Sequence, residues 1–127
     1  MGNDKPILLL VDDDGSLLRE LAAAFNKPDR QIIRASGGKE ALALVKIQPI
    51  DVMVCDVQMP KGNGFWLLRQ LVGENIRPRF FCFYSSVFAG SRSPPHPPEA
   101  DRCFAKYVEF FEMQAWVEES LGRVDNR

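Results

Sequence analysis

Short apolar runs alternate with helix-length amphipathic stretches along this chain. "PILLLV" (6–11) is continuously apolar, which predicts a strand buried on both faces. Ser16 to Phe25 follows with Leu17, Leu18, Leu21, Ala24 and Phe25 at helical spacing, and Asn26 and Pro28 end it. "QIIRA" predicts a second strand, and "SGGKEALALVKIQ" a second helix with Ser36 as its N-cap. "IDVMVCD" (50–56) is a third buried strand, and Asn63 to Val72 a third helix carrying Phe65, Leu67, Leu68 and Leu71. "RFFCFYSS" (79–86) and "RCFAKYV" (102–108) predict strands four and five. Phe110 to Leu121 closes the series as a helix with Phe111, Ala115, Val117 and Leu121 available for packing, and "GRVDNR" reads as a polar tail.

That rhythm predicts right-handed crossovers and an α/β fold, a doubly wound five-stranded parallel sheet covered on both sides. Functional groups in such sheets gather beyond the carboxyl ends of the strands. Asp12, Asp13 and Asp14 end strand one, Asp56 ends strand three, Ser85 and Ser86 end strand four, and Lys106 ends strand five. One segment breaks the rhythm. "SRSPPHPPEA" (91–100) stands where a fourth helix would fall, and it holds four of the nine prolines. Each proline in a helix interior costs about 3 kcal/mol, so an extended, partly polyproline loop is expected there.

Composition narrows the classes. At 127 residues, 46% apolar and 26% charged, the chain is read as one globular domain (1–127, core about 6–121). A formal net charge of -1 gives no electrostatic case for direct binding to nucleic acid or an acidic membrane surface. "MGNDKP" has no signal-peptide pattern, and no apolar run is long enough to span a bilayer. Cys55, Cys82 and Cys103 sit among apolar neighbours and read as reduced, buried thiols of a cytoplasmic protein. His96 lacks Cys or carboxylate at ligand spacing and reads as exposed and unligated, while Trp66 and Trp116 read as packing residues.

Three adjacent carboxylates where a buried strand stops repel one another unless a cation or proton shares the site. Two phosphoryl chemistries open this way. Asp12-x-Asp14-Gly15-Ser16-Leu17 resembles the opening of haloacid-dehalogenase-like phosphatases, but such an enzyme needs further acidic ligands on a later strand, and here the glutamates after Lys106 fall in a helical stretch. The second resemblance uses nearly the whole chain. Asp12-Asp13, Asp56 within "CDVQMPKGNG" (with Met59, Pro60 and Gly64), Ser85 and Lys106 look like the receiver domain of response regulators in bacterial two-component signalling.

That resemblance implies a flavodoxin-like receiver fold and a role for each matched position. Asp56 would be the phosphoacceptor, attacking the phosphorus of a phosphohistidine donor on a histidine kinase or phosphotransfer protein. Asp12, Asp13, Asp56 and the backbone carbonyl of Gln58 would hold Mg²⁺. Lys106 would pair with a phosphoryl oxygen, and Ser85, with Ser86 as runner-up, would donate a hydroxyl to it. Asp14 is not needed by this scheme and reads as a helix cap or an exposed rim charge. Pro60 would shape the loop presenting Asp56, and Gly62 and Gly64 would supply turn geometry.

The match departs from the family at three places. An aromatic is expected three residues before the lysine, where this chain has Cys103; Phe104 beside it points to the other face of a strand. A proline, commonly in a cis peptide, is expected after the lysine, where this chain has Tyr107. The fourth helix of the usual output face is expected to be replaced by the proline loop. The chemistry therefore reads as retained and the relay as altered, so a protein-binding module working without phosphorylation stands as the alternative function.

Overall fold

A computed structural model describes residues 5–124. Five strands and four helices follow in the order β1 (Ile7–Val11), α1 (Gly15–Phe25), β2 (Gln31–Ala35), α2 (Gly38–Ile47), β3 (Val52–Cys55), α3 (Gly64–Gly73), β4 (Phe80–Ser85), β5 (Arg102–Ala105) and α4 (Phe110–Val124). The strands form one parallel sheet in the order β2-β1-β3-β4-β5, the doubly wound arrangement whose order reverses between β1 and β3.

Strand alternation divides the core in two. Leu8 and Leu10 of β1, Val52 and Val54 of β3, and Tyr84 and Phe104 pack with α1 and α4. Leu9 and Val11, Met53 and Cys55, and Phe81 and Phe83 pack with α2 and α3 on the opposite face. Central strands buried on both sides explain why β1 and β3 read as unbroken apolar runs. Cys55 and Cys82 are buried free thiols and Cys103 is half-buried. Trp116 packs edge-on to Phe80, and Trp66 borders the second cluster.

Between β4 and β5 the described chain holds a single 3₁₀ turn (Ser86–Phe88) and the proline loop, as the four prolines required. The loop's far end is tied down. Arg77 donates to the carbonyls of Glu99, Pro78 and Arg79 and pairs with Asp101 at 2.6 Å. Asp101 also accepts the Phe81 N–H at 2.9 Å, which anchors the loop to the first residues of β4. His96 is exposed, and its Nε2 lies 2.8 Å from the Ala100 carbonyl.

Three sequence expectations change. Ser36 does not cap α2: Gly37 occupies the cap position, and Ser36 instead donates its N–H and hydroxyl to Glu40. The first N–H groups of α2 find the carbonyls of Gly62 and Lys61 at 3.0 and 3.2 Å, so a neighbouring loop does the work of a capping side chain. In α4 the buried stripe is Met113, Val117, Ser120, Leu121 and Val124, leaving Phe111 and Ala115 outside. The expected tail therefore starts late, because α4 runs through Gly122 and Arg123 to bury Val124. Residues 1–4 and 125–127, which carry the leader reading and the rest of the tail, lie outside the described residues. No helix among the described residues is long and apolar enough to cross a membrane.

Candidate functional site

The carboxyl ends of β1, β3 and β5 bring four of the expected side chains together. Asp12 follows β1 directly, its N–H bonded to the Ala35 carbonyl of β2, and Asp56 follows β3 with its N–H on the Val11 carbonyl of β1. Both are therefore continuations of the ladder, and both are buried. Asp12 Oδ1 accepts the Asp14 N–H at 2.9 Å, and Asp56 Oδ1 accepts the Val57 N–H at 2.7 Å. Their other oxygens face one ammonium: Lys106 Nζ stands 2.7 Å from Asp12 Oδ2 and 3.1 Å from Asp56 Oδ2.

Asp13, which is exposed, completes the group, and one oxygen from each of Asp12, Asp13 and Asp56 lies within 4.8 Å of the others. Three convergent carboxylates on a rim open to solvent suit a hard divalent cation that takes oxygen ligands and keeps several waters. Gln58, whose carbonyl is the expected fourth ligand, is exposed two residues beyond Asp56. Asp14 stands apart as expected: its Oδ1 accepts the N–H groups of Ser16 and Leu17 and caps α1.

The electrostatics follow from one ammonium serving two buried carboxylates. Burial pushes the Asp12 carboxyl above its ordinary range, more than the Lys106 and Asp14 hydrogen bonds pull it down, and the Asp56 charge adds to the rise. Burial alone would lower Lys106, but its hydrogen bonds to Asp12 and Asp56 outweigh it and hold the ammonium above its usual value. The two directions agree once the third charge is counted. Lysine gains from two anions, whereas Asp12 shares its cation and faces a like charge.

The loop after β3 fits this purpose by close approach. A Cβ on Gly64 would overlap the Asp56 carbonyl oxygen and touch the Phe83 ring. Gly64 is thus needed for proximity, and of the pair expected to supply turn geometry only Gly62 has a positive φ, +102°.

Ser85 ends β4 fully buried, with the Val87 N–H 3.4 Å from its Oγ, a long and weak bond. Ser86 is exposed and lines a shallow depression with Gln58, Asn63 and Arg92. Cys103 faces the second core cluster beside Val87 and Phe88, and burial raises its thiol to about 11. Phe104 faces the first cluster, as strand alternation requires. No cis peptide bond occurs among the described residues, and Tyr107 has a positive φ of +68°.

The comparisons agree with this geometry. The family pattern described as "Response regulator receiver domain" matches residues 8–86, well over half of the chain. The chain belongs to the response regulator receiver family.

Protein PilH of Pseudomonas aeruginosa is 36% identical over 67 residues, covering 53% of this chain and 55% of that protein. A probable transcriptional regulator ycf27 of Porphyridium aerugineum is 31% identical over 121 residues, covering 95% of this chain and 50% of the other. This receiver thus spans about half of each of these two relatives. Among solved structures, the receiver domain of Francisella response regulator 1452 superposes with a TM-score of 0.78 at 25% identity, covering 94% of this chain and 98% of that one. The response regulator TrrA of Thermotoga maritima, in complex with Mg(2+)-BeF, gives 0.75 at 20% identity over 91% and 98% of the two chains and shares the fold.

Sequence reasoning missed two residues beside this receiver's site, Tyr84 and Glu109, and one at the opposite ends of the strands, Asp101. Tyr84 accepts the Tyr107 N–H at 2.8 Å, and Glu109 accepts the Ala105 N–H at 2.7 Å. Asp101 anchors the proline loop. Only Tyr84 left a signal, since a phenol within a strand buried on both faces needs a partner for its hydroxyl.

Proposed function

We propose that this receiver accepts a phosphoryl group on Asp56 from a phosphohistidine donor, a histidine kinase or phosphotransfer protein, and works in the cytoplasm. The observation that carries the reading is the sharing of Lys106 between Asp12 and Asp56, at 2.7 and 3.1 Å, at the rim where Asp13 also converges. Asp56 Oδ2 attacks phosphorus; the new O–P bond forms as the N–P bond to imidazole breaks, and the electron pair leaves on the imidazole nitrogen. A carboxylate is a weak nucleophile, so position and charge neutralisation must lower the barrier.

Asp12, Asp13, Asp56 and the Gln58 carbonyl would hold Mg²⁺, whose charge, when bound, would neutralise the carboxylates and the phosphoryl oxygens. Lys106 follows one of those oxygens as a point charge, exchanging a carboxylate partner for a phosphoryl partner. Ser85 turns its hydroxyl from the weak Val87 contact to the phosphoryl group, and Ser86 is the substitute donor. With Cys103 in place of the aromatic and a proline loop in place of a helix, the phosphorylated state is read by a partner suited to this altered face.

The fluoroberyllate mimic with Mg²⁺, followed by NMR, tests the reading. Shifts at Asp56, Ser85 and Lys106 that Asp56→Asn abolishes are expected. No response at saturating mimic and Mg²⁺ would overturn the reading in favour of the binding module, for which the open apolar groove of about 690 Å³ between α3 and the proline loop (Phe65, Leu68, Val72, Pro94, Pro97) is the supporting observation.

A further inference from the structure

Lys106 leaves β5 on a turn with an unusual backbone. Tyr107 has φ +68°, and the Val108 N–H donates to the Lys106 carbonyl at 2.8 Å, closing a three-residue turn around Tyr107. A turn of that size with its central residue at such a φ is the rare, strained γ form, and glycine is the residue that adopts it freely. A side chain kept there needs surroundings that over-determine it. Packing of the Tyr107 ring is not the cause, for the residue is 64% exposed.

The hold comes from β4 and from Glu109, the residue before α4. Consecutive residues of β4 grip the two peptide groups that flank the Lys106 Cα: the Ser85 carbonyl accepts the Lys106 N–H at 3.1 Å, and the Tyr84 hydroxyl accepts the Tyr107 N–H at 2.8 Å. Behind them Ala105 and Glu109 close on each other, the Glu109 N–H on the Ala105 carbonyl and the Ala105 N–H on Glu109 Oε1. The Tyr84 ring is buried in the first core cluster, so its hydroxyl is delivered from a fixed platform.

We propose that the Tyr84 hydroxyl is a positioning group for Lys106: by holding the Tyr107 turn it sets where the ammonium meets Asp12 and Asp56. The proposal rests on the phosphoacceptor reading above and adds to it a residue outside the carboxylate cluster. Tyr84 touches no reacting atom. It acts through the backbone, one residue beyond Lys106.

Tyr84→Phe removes one oxygen and keeps the buried ring. With acetyl phosphate as donor, the rate of Asp56 phosphorylation should fall by about tenfold or more, since small misplacements of a charge at a reacting centre cost that much. Any change in Mg²⁺ affinity that the displaced ammonium causes through Asp12 and Asp56, with which it pairs, should be repaired by the same second substitution that repairs the rate. Adding Tyr107→Gly should restore most of the lost rate, because glycine takes the turn without the phenol's help. A purely structural role for the ring predicts no such rescue.

Amide exchange at Tyr107, read without any donor, keeps the two readings apart. Slow exchange in the wild type that becomes fast in Tyr84→Phe is expected whether or not the wild type is phosphorylated. Unchanged exchange, an unchanged rate, or a joint loss of rate and Mg²⁺ binding that Tyr107→Gly does not repair would each overturn the proposal. A wild type that takes no phosphoryl group at all defeats the phosphoacceptor reading, and with it the catalytic use of this turn.

Discussion

The two halves of the pocket are built differently. On the carboxylate side, Asp12 and Asp56 extend regular ladders and are fixed by N–H groups within two residues of themselves. On the ammonium side, Lys106 comes from a strained turn held by residues far away in sequence, Tyr84 and Ser85 of β4, and the segment joining the two strands is a loop pinned by Arg77 and Asp101. Local bonds make the carboxylate side insensitive to what surrounds the sheet. The ammonium side depends on the partners it has found, and it carries the three features, Cys103, Tyr107 and the proline loop, at which the sequence reading expects a departure from the family pattern.

The strongest way to break that contrast is at Gly64, where the carboxylate side relies on close approach rather than bonding. Gly64→Ala should cost about 1–3 kcal/mol in urea denaturation, an overpacking penalty, and should disturb Asp56 more than Lys106 in NMR spectra. Asp101→Ala strikes the other half. It strands the Phe81 N–H and takes from Arg77 its carboxylate partner, so a loss of about 1–2 kcal/mol is expected, with faster exchange in residues 91–100 and unchanged Mg²⁺ affinity.

A control lies away from both. Buried Arg30 joins α1, β2 and α4 through the Phe25 carbonyl, at 3.2 Å, and a two-pronged pair with Glu118 at 2.7 and 2.8 Å. The Arg30 hydrogen bond holds the Glu118 carboxyl below its ordinary value of 4.5. A depressed carboxyl contributes stability that is present above 4.5 and is lost as pH falls through the lower folded value. Glu118→Gln should therefore cost about 1 kcal/mol at neutral pH, and the gap from wild type should close in acid. The smallest effect is expected at Asp14→Ala. It removes the α1 cap for about 0.5–1 kcal/mol and should leave phosphorylation unchanged, although Asp14 adjoins two proposed ligands.

Both sides of the pocket were legible in the sequence where local text decides the structure, and neither where distant segments must meet. Continuous apolar runs report parallel strands buried on both faces, so β1, β3 and β4 could be read within a residue or two, and with them the positions of Asp12, Asp56 and Ser85. Four prolines within 91–100 removed a helix in advance. Periodicity could not show which stripe α4 buries, because Phe111 and Met113 are both apolar and only packing against β5 decides between them. Nor could it show that Gly62 and Lys61 would cap α2, or that Tyr84 would reach Tyr107. Those bonds join segments distant in sequence, and the local text carries no trace of them beyond a polar atom in a buried strand.

The central claim is that the carboxylate of Asp56, beside Lys106 and the Asp12–Asp13 pair, is the one group that takes phosphate. Intact-mass spectrometry after incubation with acetyl phosphate and Mg²⁺ tests it directly. The account predicts a single phosphoryl adduct that needs Mg²⁺ and vanishes in Asp56→Asn. An adduct that persists in Asp56→Asn, or none in the wild type at saturating donor and Mg²⁺, would contradict it.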